Sequence, residues 1–136
     1  MIADDHAMLR ETWKTLLHQN PAFSVIAECI NGTEVIEFAQ THNPDIIFMD
    51  INMSPVNGFE ATQEITRLMP GMKIIGISMN NQPSYALNML KAGAKGYLTK
   101  NTSLQEIMEA ITEVLKGETY ICREIKSKMK SGKDEL

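Results

Sequence analysis

The sequence contains few cysteines and no long apolar run. Only Cys29 and Cys122 occur among its 136 residues, and they lack the CxxC spacing of many metal and redox sites. We therefore expect two reduced, semi-buried thiols. The apolar runs fall short of the roughly 18 residues needed to cross a bilayer, and the N-terminus turns acidic at Asp4 where a signal peptide would be apolar. These absences predict a cytoplasmic protein with no membrane partner.

Positive charge is scarce except at the end of the chain. The formal net charge is −4, with 8 basic and 14 acidic residues in 1–122 and 5 basic and 3 acidic residues in 123–136. An acidic body repels phosphate backbones, so we expect no direct nucleic-acid binding by this segment. The basic residues near the end are interpreted as a solvated linker helix: Arg123, Lys126, Lys128, Lys130 and Lys133.

Helical and strand-like segments alternate along the chain, whose length suits one domain. Apolar periodicity and capping signals predict helices over 7–19, 34–42, 58–69, 82–93 and 103–117. Short apolar runs rich in β-formers predict strands over 23–30, 45–51, 72–79 and 96–99. This alternation with short loops predicts an α/β fold with a doubly wound parallel sheet and helices on both faces.

Polar side chains stand where the predicted strands end. The most hydrophobic strand ends in a carboxylate, Asp50; Ser78 ends the next strand, and Lys100 follows the one after. Asp4 and Asp5 precede the first helix, where a first strand would end. The carboxyl ends of parallel strands share one edge of a sheet, and ligands bind there. We therefore expect three carboxylates, a hydroxyl and an ammonium group to converge.

Such a cluster has a definite chemistry. Carboxylates about 4–6 Å apart repel one another and need a counter-charge or protons. Mg²⁺ suits this role because it binds one or two carboxylates and keeps places for water and phosphate oxygens. A carboxylate beside Mg²⁺ can attack phosphorus, and a lysine and a hydroxyl can hold the phosphoryl oxygens. The sequence therefore predicts phosphoryl chemistry at this edge.

Four motifs, in order, carry a resemblance to a known family: ADDH at 3–6, FMDINMSPVNG at 48–58, GISM at 76–79 and KAGAKGYLTKN at 91–101. The chain resembles the receiver domain of bacterial two-component response regulators, in the subfamily with a C-terminal LuxR-type helix-turn-helix DNA-binding domain. The resemblance covers about residues 1–118, and it makes 119–136 a linker or tail toward an output domain. It implies a flavodoxin-like sheet with strand order 2-1-3-4-5.

The resemblance implies a role for each reacting residue. Asp50 would be the phosphoacceptor for a sensor histidine kinase. Lys100 would pair with the acceptor carboxylate and later with the phosphate, and Ser78 would hydrogen-bond a phosphoryl oxygen. Tyr97 holds the position of the switch aromatic, whose ring would turn inward as Ser78 moves. The domain would act as a signalling switch and not as an enzyme beyond its own phosphorylation and dephosphorylation.

The resemblance also implies a metal site and an output surface. Asp5 and Asp50 would bind Mg²⁺ directly, the backbone carbonyl of Asn52 would be a third ligand, and Asp4 would act through bound water. Phosphorylation would change the surface made by helix 82–93, strand 96–99 and helix 103–117. That surface would form a homodimer and control an output, most naturally transcription.

The chain departs from the family pattern at its first strand, where MIA stands in place of a longer apolar run, so that strand is expected to be truncated or missing. Two other functions stay open. A phosphatase of the haloacid-dehalogenase type also uses an aspartyl nucleophile after a strand, but it needs an aspartate where this chain has Asn52. A phosphate-independent interaction module follows if the short strand disrupts the metal site. His6, His18 and His42 show no ligand spacing and are interpreted as solvated or capping residues.

Overall fold

Short apolar runs form a six-stranded parallel sheet in the computed structural model, which describes residues 1–131. The sheet order is β2-β1-β3-β4-β5-β6, so the predicted order is confirmed and extended by one strand. β3 and β4 consist entirely of buried residues, which explains why they are apolar up to their polar last residues, Asp50 and Ser78. The strands are β1 (Ile2–Ala3), β2 (Glu28–Cys29), β3 (Ile47–Asp50), β4 (Ile74–Ser78), β5 (Gly96–Thr99) and β6 (Tyr120–Ile121).

The helices alternate with the strands and cover the sheet. Asn57 caps α3 in a reciprocal capping box with Glu60, and Ser103 caps α5 by accepting the N–H of Glu106. Among residues 1–131, no helix combines the length and the apolar character that a bilayer crossing requires. The helices are α1 (Ala7–His18), α2 (Gly32–His42), α3 (Gly58–Leu68), α4 (Pro83–Ala92), α5 (Leu104–Leu115) and α6 (Arg123–Ser131).

The first strand is short but present at the centre of the sheet. Ile2 pairs with Glu28 on one side and Phe48 on the other, and Ala3 continues both ladders. The prediction of a truncated strand is therefore confirmed, whereas a missing strand is not observed. The predicted strand over 23–30 shortens to two residues, because only two residues of β1 are available to pair with it.

The chain beyond residue 119 differs from the expected linker. β6 pairs with β5, and α6 packs against α4. Cys122 and Ile125 are fully buried, and Met129 packs on the same core. This apolar stripe, at helical spacing, lies among the basic residues that dominated the sequence pattern. The basic residues do form a helix as expected, although it is docked; Lys133 lies outside the described residues.

Candidate functional site

Asp50 ends β3 with one carboxylate oxygen engaged and the other without a partner. Its side chain is only 1% exposed. Oδ1 accepts the backbone N–H of Asn52 at 3.2 Å and lies 3.5 Å from Nζ of Lys100. Oδ2 is buried and has no hydrogen-bond partner in the described part of the chain. A buried oxygen without a hydrogen-bond partner costs folding free energy, so a ligand that binds Oδ2 would gain the most binding free energy there.

Three consecutive polar residues meet Asp50 from the end of β1. Asp4 is buried; its Oδ2 accepts from Lys100 Nζ at 3.0 Å, and its Oδ1 accepts the backbone N–H of His6 at 2.9 Å. The ring Nδ1 of His6 lies 3.2 Å from Asp4 Oδ1 and 2.9 Å from Asp5 Oδ1. Asp4, Asp5, His6 and Asp50 each offer a ligand atom within 4.8 Å of the others. This donor set can hold a metal ion.

The electrostatics of the cluster favour a bound cation. Burial raises the pKa of the Asp50 carboxyl above its ordinary value, and the nearby charge of Asp4 raises it further. The Lys100 ammonium and the Asn52 N–H lower that pKa but do not cancel the rise. The charged form of Asp50 is therefore disfavoured without a further counter-charge, and a divalent cation would supply one.

A second polar group links the end of β4 to β5. The hydroxyl of Ser78 is buried and accepts the backbone N–H of Asn80 at 2.9 Å. The hydroxyl of Tyr97 donates to the backbone oxygen of Asn80 at 3.1 Å. Tyr97 is fully buried, and burial raises its pKa to about 12 against a smaller opposing effect of Ser78. The ring of Tyr97 thus already points inward in this structure.

A glycine fixes the loop that follows the acceptor. A Cβ at Gly58 would lie 2.4 Å from the backbone oxygen of Asp50 and 2.6 Å from Cα of Ile51. The N–H of Gly58 donates to the backbone oxygen of Ile51 at 3.1 Å. The first residue of α3 therefore presses against the end of β3, and only glycine leaves the necessary space.

The structure brings together most of the residues that the sequence singled out. Asp4, Asp5, Asp50 and Lys100 form one cluster, so the short first strand does deliver its two acids to the site. Asn52 contributes its N–H to Asp50, and a role for its carbonyl stays a prediction. Ser78 and Tyr97 meet at Asn80 as described above.

Sequence reasoning missed His6. Its side chain is 63% exposed, in keeping with the predicted solvated residue, and it stands at the cap of α1 without forming a side-chain cap bond. Its contacts with Asp4 and Asp5 show that it also belongs to the acidic cluster. Its position directly after the two acids was the signal available in the sequence.

The family of the chain follows from comparison with known proteins. A family model, the response regulator receiver domain, matches residues 1–112. The chain belongs to this family. The receiver is 40% identical over 121 residues to the transcriptional regulatory protein DegU of Brevibacillus brevis, covering 89% of the receiver chain and 51% of DegU. It is 35% identical over 122 residues to the oxygen regulatory protein NreC of Staphylococcus epidermidis (strain ATCC 12228 / FDA PCI 1200), covering 89% and 56%.

Solved structures agree with this membership. A LuxR-family two-component response regulator from Aurantimonas sp. SI85-9A1 superimposes with a TM-score of 0.93 at 29% identity, covering 98% of the receiver chain and 95% of that chain. The receiver domain of the putative response regulator NarL from Mycobacterium tuberculosis gives 0.81 at 26% identity, covering 86% and 94%. The predicted fold and the resemblance to LuxR-type receivers are confirmed. The receiver spans about half the length of the curated relatives.

Proposed function

We propose that this receiver is a phosphorylation-dependent signalling switch whose acceptor is Asp50, phosphorylated by a sensor histidine kinase. The observation that carries the proposal is the state of the Asp50 carboxylate. One oxygen is held by Asn52 and Lys100, and the other is buried, unpaired and beside two further acids. The carboxylate oxygen attacks phosphorus, the P–N bond of the phosphohistidine breaks, and the leaving imidazole nitrogen keeps the electron pair.

The donor set fits Mg²⁺, and the unpaired Asp50 oxygen among further carboxylates is the structural reason. Asp5, Asp50 and the backbone carbonyl of Asn52 would hold the ion. Asp4 would act through water, since Lys100 and the His6 N–H already engage its two oxygens. Bound Mg²⁺ would neutralise charge on the carboxylates and on the phosphoryl oxygens.

Lys100 and Ser78 would then bind the phosphoryl group. A phosphoryl group on Asp50 carries roughly −1.5 to −2 charge units in place of the single negative charge of the carboxylate. Lys100, already 3.5 Å from the acceptor, pairs with this charge, and the hydroxyl of Ser78 donates to a phosphoryl oxygen. The added interactions shift the balance between two arrangements of the loop after Ser78, which the hydroxyl of the inward-pointing Tyr97 already contacts.

The output of the switch is proposed by analogy. DegU is named a transcriptional regulatory protein, and the receiver spans about half of it. We infer a cytoplasmic domain that controls transcription through a separate output domain and does not bind nucleic acid itself. The α4-β5-α5 surface would form a homodimer on phosphorylation. Native mass spectra recorded with and without beryllofluoride test for the dimer. An unchanged oligomeric state would show that the proposal of a phosphorylation-dependent dimer is wrong.

Intact mass after incubation with acetyl phosphate and Mg²⁺ tests the acceptor. We expect the mass gain of one phosphoryl group, lost in Asp50→Asn and kept in Asp45→Asn, an exposed acid beside the other end of the same strand. Rapid turnover of small phosphate esters would instead support a phosphatase. No reaction would support an interaction module that works without phosphate.

A further inference from the structure

Helix α6 is tied to the edge of the sheet that carries the acceptor. The carboxylate of Glu124 accepts from Nδ2 of Asn81 at 2.8 Å and from the hydroxyl of Thr99 at 2.9 Å. These two hydrogen bonds lower the pKa of Glu124, and the bond from Asn81 has the larger effect. Asn81 lies in the loop 79–82, which joins β4 to α4 and is called the switch loop below. Thr99 ends β5 directly before Lys100.

Apolar contacts dock the rest of α6 on the switch region. Ile125 is fully buried, and α6 packs against α4, the helix that the switch loop opens. The backbone N–H of Cys122, just before α6, donates to the backbone oxygen of Tyr97 at 3.0 Å. The position of α6 therefore depends on α4, on Tyr97 and on the switch loop together.

The switch loop is held at its other end by the group expected to contact phosphate. The Ser78 hydroxyl accepts the N–H of Asn80, and Tyr97 donates to the backbone oxygen of the same residue. Asn81, which binds Glu124, is the next residue. A Ser78 hydroxyl that moves toward Asp50 either carries Asn80 with it or breaks the bond to it. Either change alters how the residue directly before Asn81 is held, and Asn81 is the residue that binds Glu124.

We propose that Glu124 latches α6 onto the switch loop and that phosphorylation of Asp50 releases the latch. The inference rests on the proposed function and names the segment that responds to it. The new negative charge acts in the same direction as the loop movement, because it repels the Glu124 carboxylate. Release would free the surface of α4 that α6 covers, which is part of the predicted output surface.

Reciprocity gives the latch a second consequence. If modification of Asp50 weakens the docking of α6, then docking of α6 weakens binding of a phosphoryl mimic by the same factor. A variant that undocks α6 should therefore bind beryllofluoride more tightly than the wild type. Couplings of this kind are typically about 5-fold or more. A merely structural role for Glu124 predicts no such gain.

Hydrogen–deuterium exchange of the full chain provides the first measurement. Peptides covering 120–131 are followed with Mg²⁺ alone and with Mg²⁺ and beryllofluoride. We expect exchange in α6 to rise several-fold with beryllofluoride. Glu124→Ala removes both acceptor oxygens and Asn81→Ala removes only the contact to the switch loop. Both should show fast exchange in α6 already without beryllofluoride. Lys126→Ala, an exposed position on the same helix, is the matched control and should behave as wild type.

Isothermal titration with beryllofluoride and Mg²⁺ provides the second. Glu124→Ala and Asn81→Ala should bind beryllofluoride about 5-fold more tightly than the wild type does. Lys126→Ala should bind it with the same affinity as the wild type. The latch proposal is wrong if the wild type binds beryllofluoride but hydrogen exchange in α6 stays constant or slows. It is also wrong if both variants bind beryllofluoride with unchanged or weaker affinity. In either case the proposed function stands. If wild type binds no beryllofluoride and Asp50 takes up no phosphoryl group from acetyl phosphate, the proposed function fails and the latch with it.

Discussion

Lys100 forms its shorter ion pair with Asp4 and not with the acceptor. Nζ of Lys100 lies 3.0 Å from Oδ2 of Asp4, and both side chains are more than nine-tenths buried. The distance to Oδ1 of Asp50 is 3.5 Å. Lys100 therefore neutralises Asp4 while the acceptor is unmodified, and it stands within reach of any negative charge added to Asp50.

Replacing Lys100 by Met should destabilise the metal-free protein. Removing one partner of a buried ion pair leaves uncompensated charge and costs about 3–5 kcal/mol of unfolding free energy. Added Mg²⁺ should restore part of this loss, because it supplies the missing counter-charge and binds only the folded state. Urea denaturation with and without Mg²⁺ measures both effects. Lys91→Met, at an exposed position of α4, should change little. A small loss that does not respond to Mg²⁺ would contradict the charge argument.

Asp50→Asn should stabilise the metal-free protein at neutral pH. Burial and the charge of Asp4 raise the folded-state pKa of Asp50 above its unfolded value. The charged carboxylate therefore weakens the fold at pH values above both pKa values, and this penalty vanishes as the pH falls below the unfolded value. The gain in unfolding free energy of Asp50→Asn should shrink in the same direction.

Urea denaturation in a chelator over a series of pH values follows this difference. Asp45→Asn serves as the control, since its exposed carboxylate lacks these neighbours. A difference between Asp50→Asn and wild type that is constant with pH would show that ionisation of Asp50 is not its origin.

His6→Ala should change which metal ion the cluster prefers. Imidazole nitrogen favours ions such as Ni²⁺ or Zn²⁺, whereas Mg²⁺ favours oxygen. We expect Ni²⁺ affinity to fall about tenfold and Mg²⁺ affinity to change little. Titration calorimetry with each ion measures the ratio. His42→Ala removes an imidazole that contacts the backbone oxygen of Phe38 in α2, and it should leave both affinities unchanged. Equal losses for both ions would mean that His6 only positions the acids.

Gly58→Ala should damage both the stability and the phosphorylation of the receiver. The added Cβ would lie 2.4 Å from the backbone oxygen of Asp50, so α3 and β3 must separate. Overpacking of this kind costs about 1–3 kcal/mol, and here it displaces the acceptor itself. Thermal unfolding and the rate of acetyl phosphate labelling measure the two losses. Gly71→Ala is the control because its Cβ would meet no atom within 4 Å. Normal labelling of Gly58→Ala would show that this close approach does not position the acceptor.

The sequence predicted those parts of the site that depend on strand ends. A buried parallel strand is an uninterrupted apolar run, so the polar residue that follows it marks one edge of the sheet. That reasoning assigns Asp50, Ser78 and Lys100 to a common edge. Asp4 and Asp5 could be placed only through the resemblance and their position before α1, because a two-residue strand has no periodicity to recognise.

Contacts that arise from tertiary packing could not be predicted from the sequence. The position of α6 depends on α4 and β5, and its exposed lysines concealed the short apolar stripe of Cys122, Ile125 and Met129. The bonds of Glu124 to Asn81 and Thr99 exist only because that helix docks. His6 reaches the two acids through the turn between β1 and α1, whose shape no local pattern specifies.

Because β1 is so short, the acidic site should be less stable to heat than the fold as a whole. Ile2 and Ala3 are its only paired residues, Met1 and Asp4 add backbone hydrogen bonds at its two ends, and Asp5 follows at once. Fraying of so few rungs would carry both acids away from Asp50 while the helices and the remaining strands stay assembled. On warming, the receiver should thus lose its capacity to accept phosphate at a lower temperature than the one at which it melts.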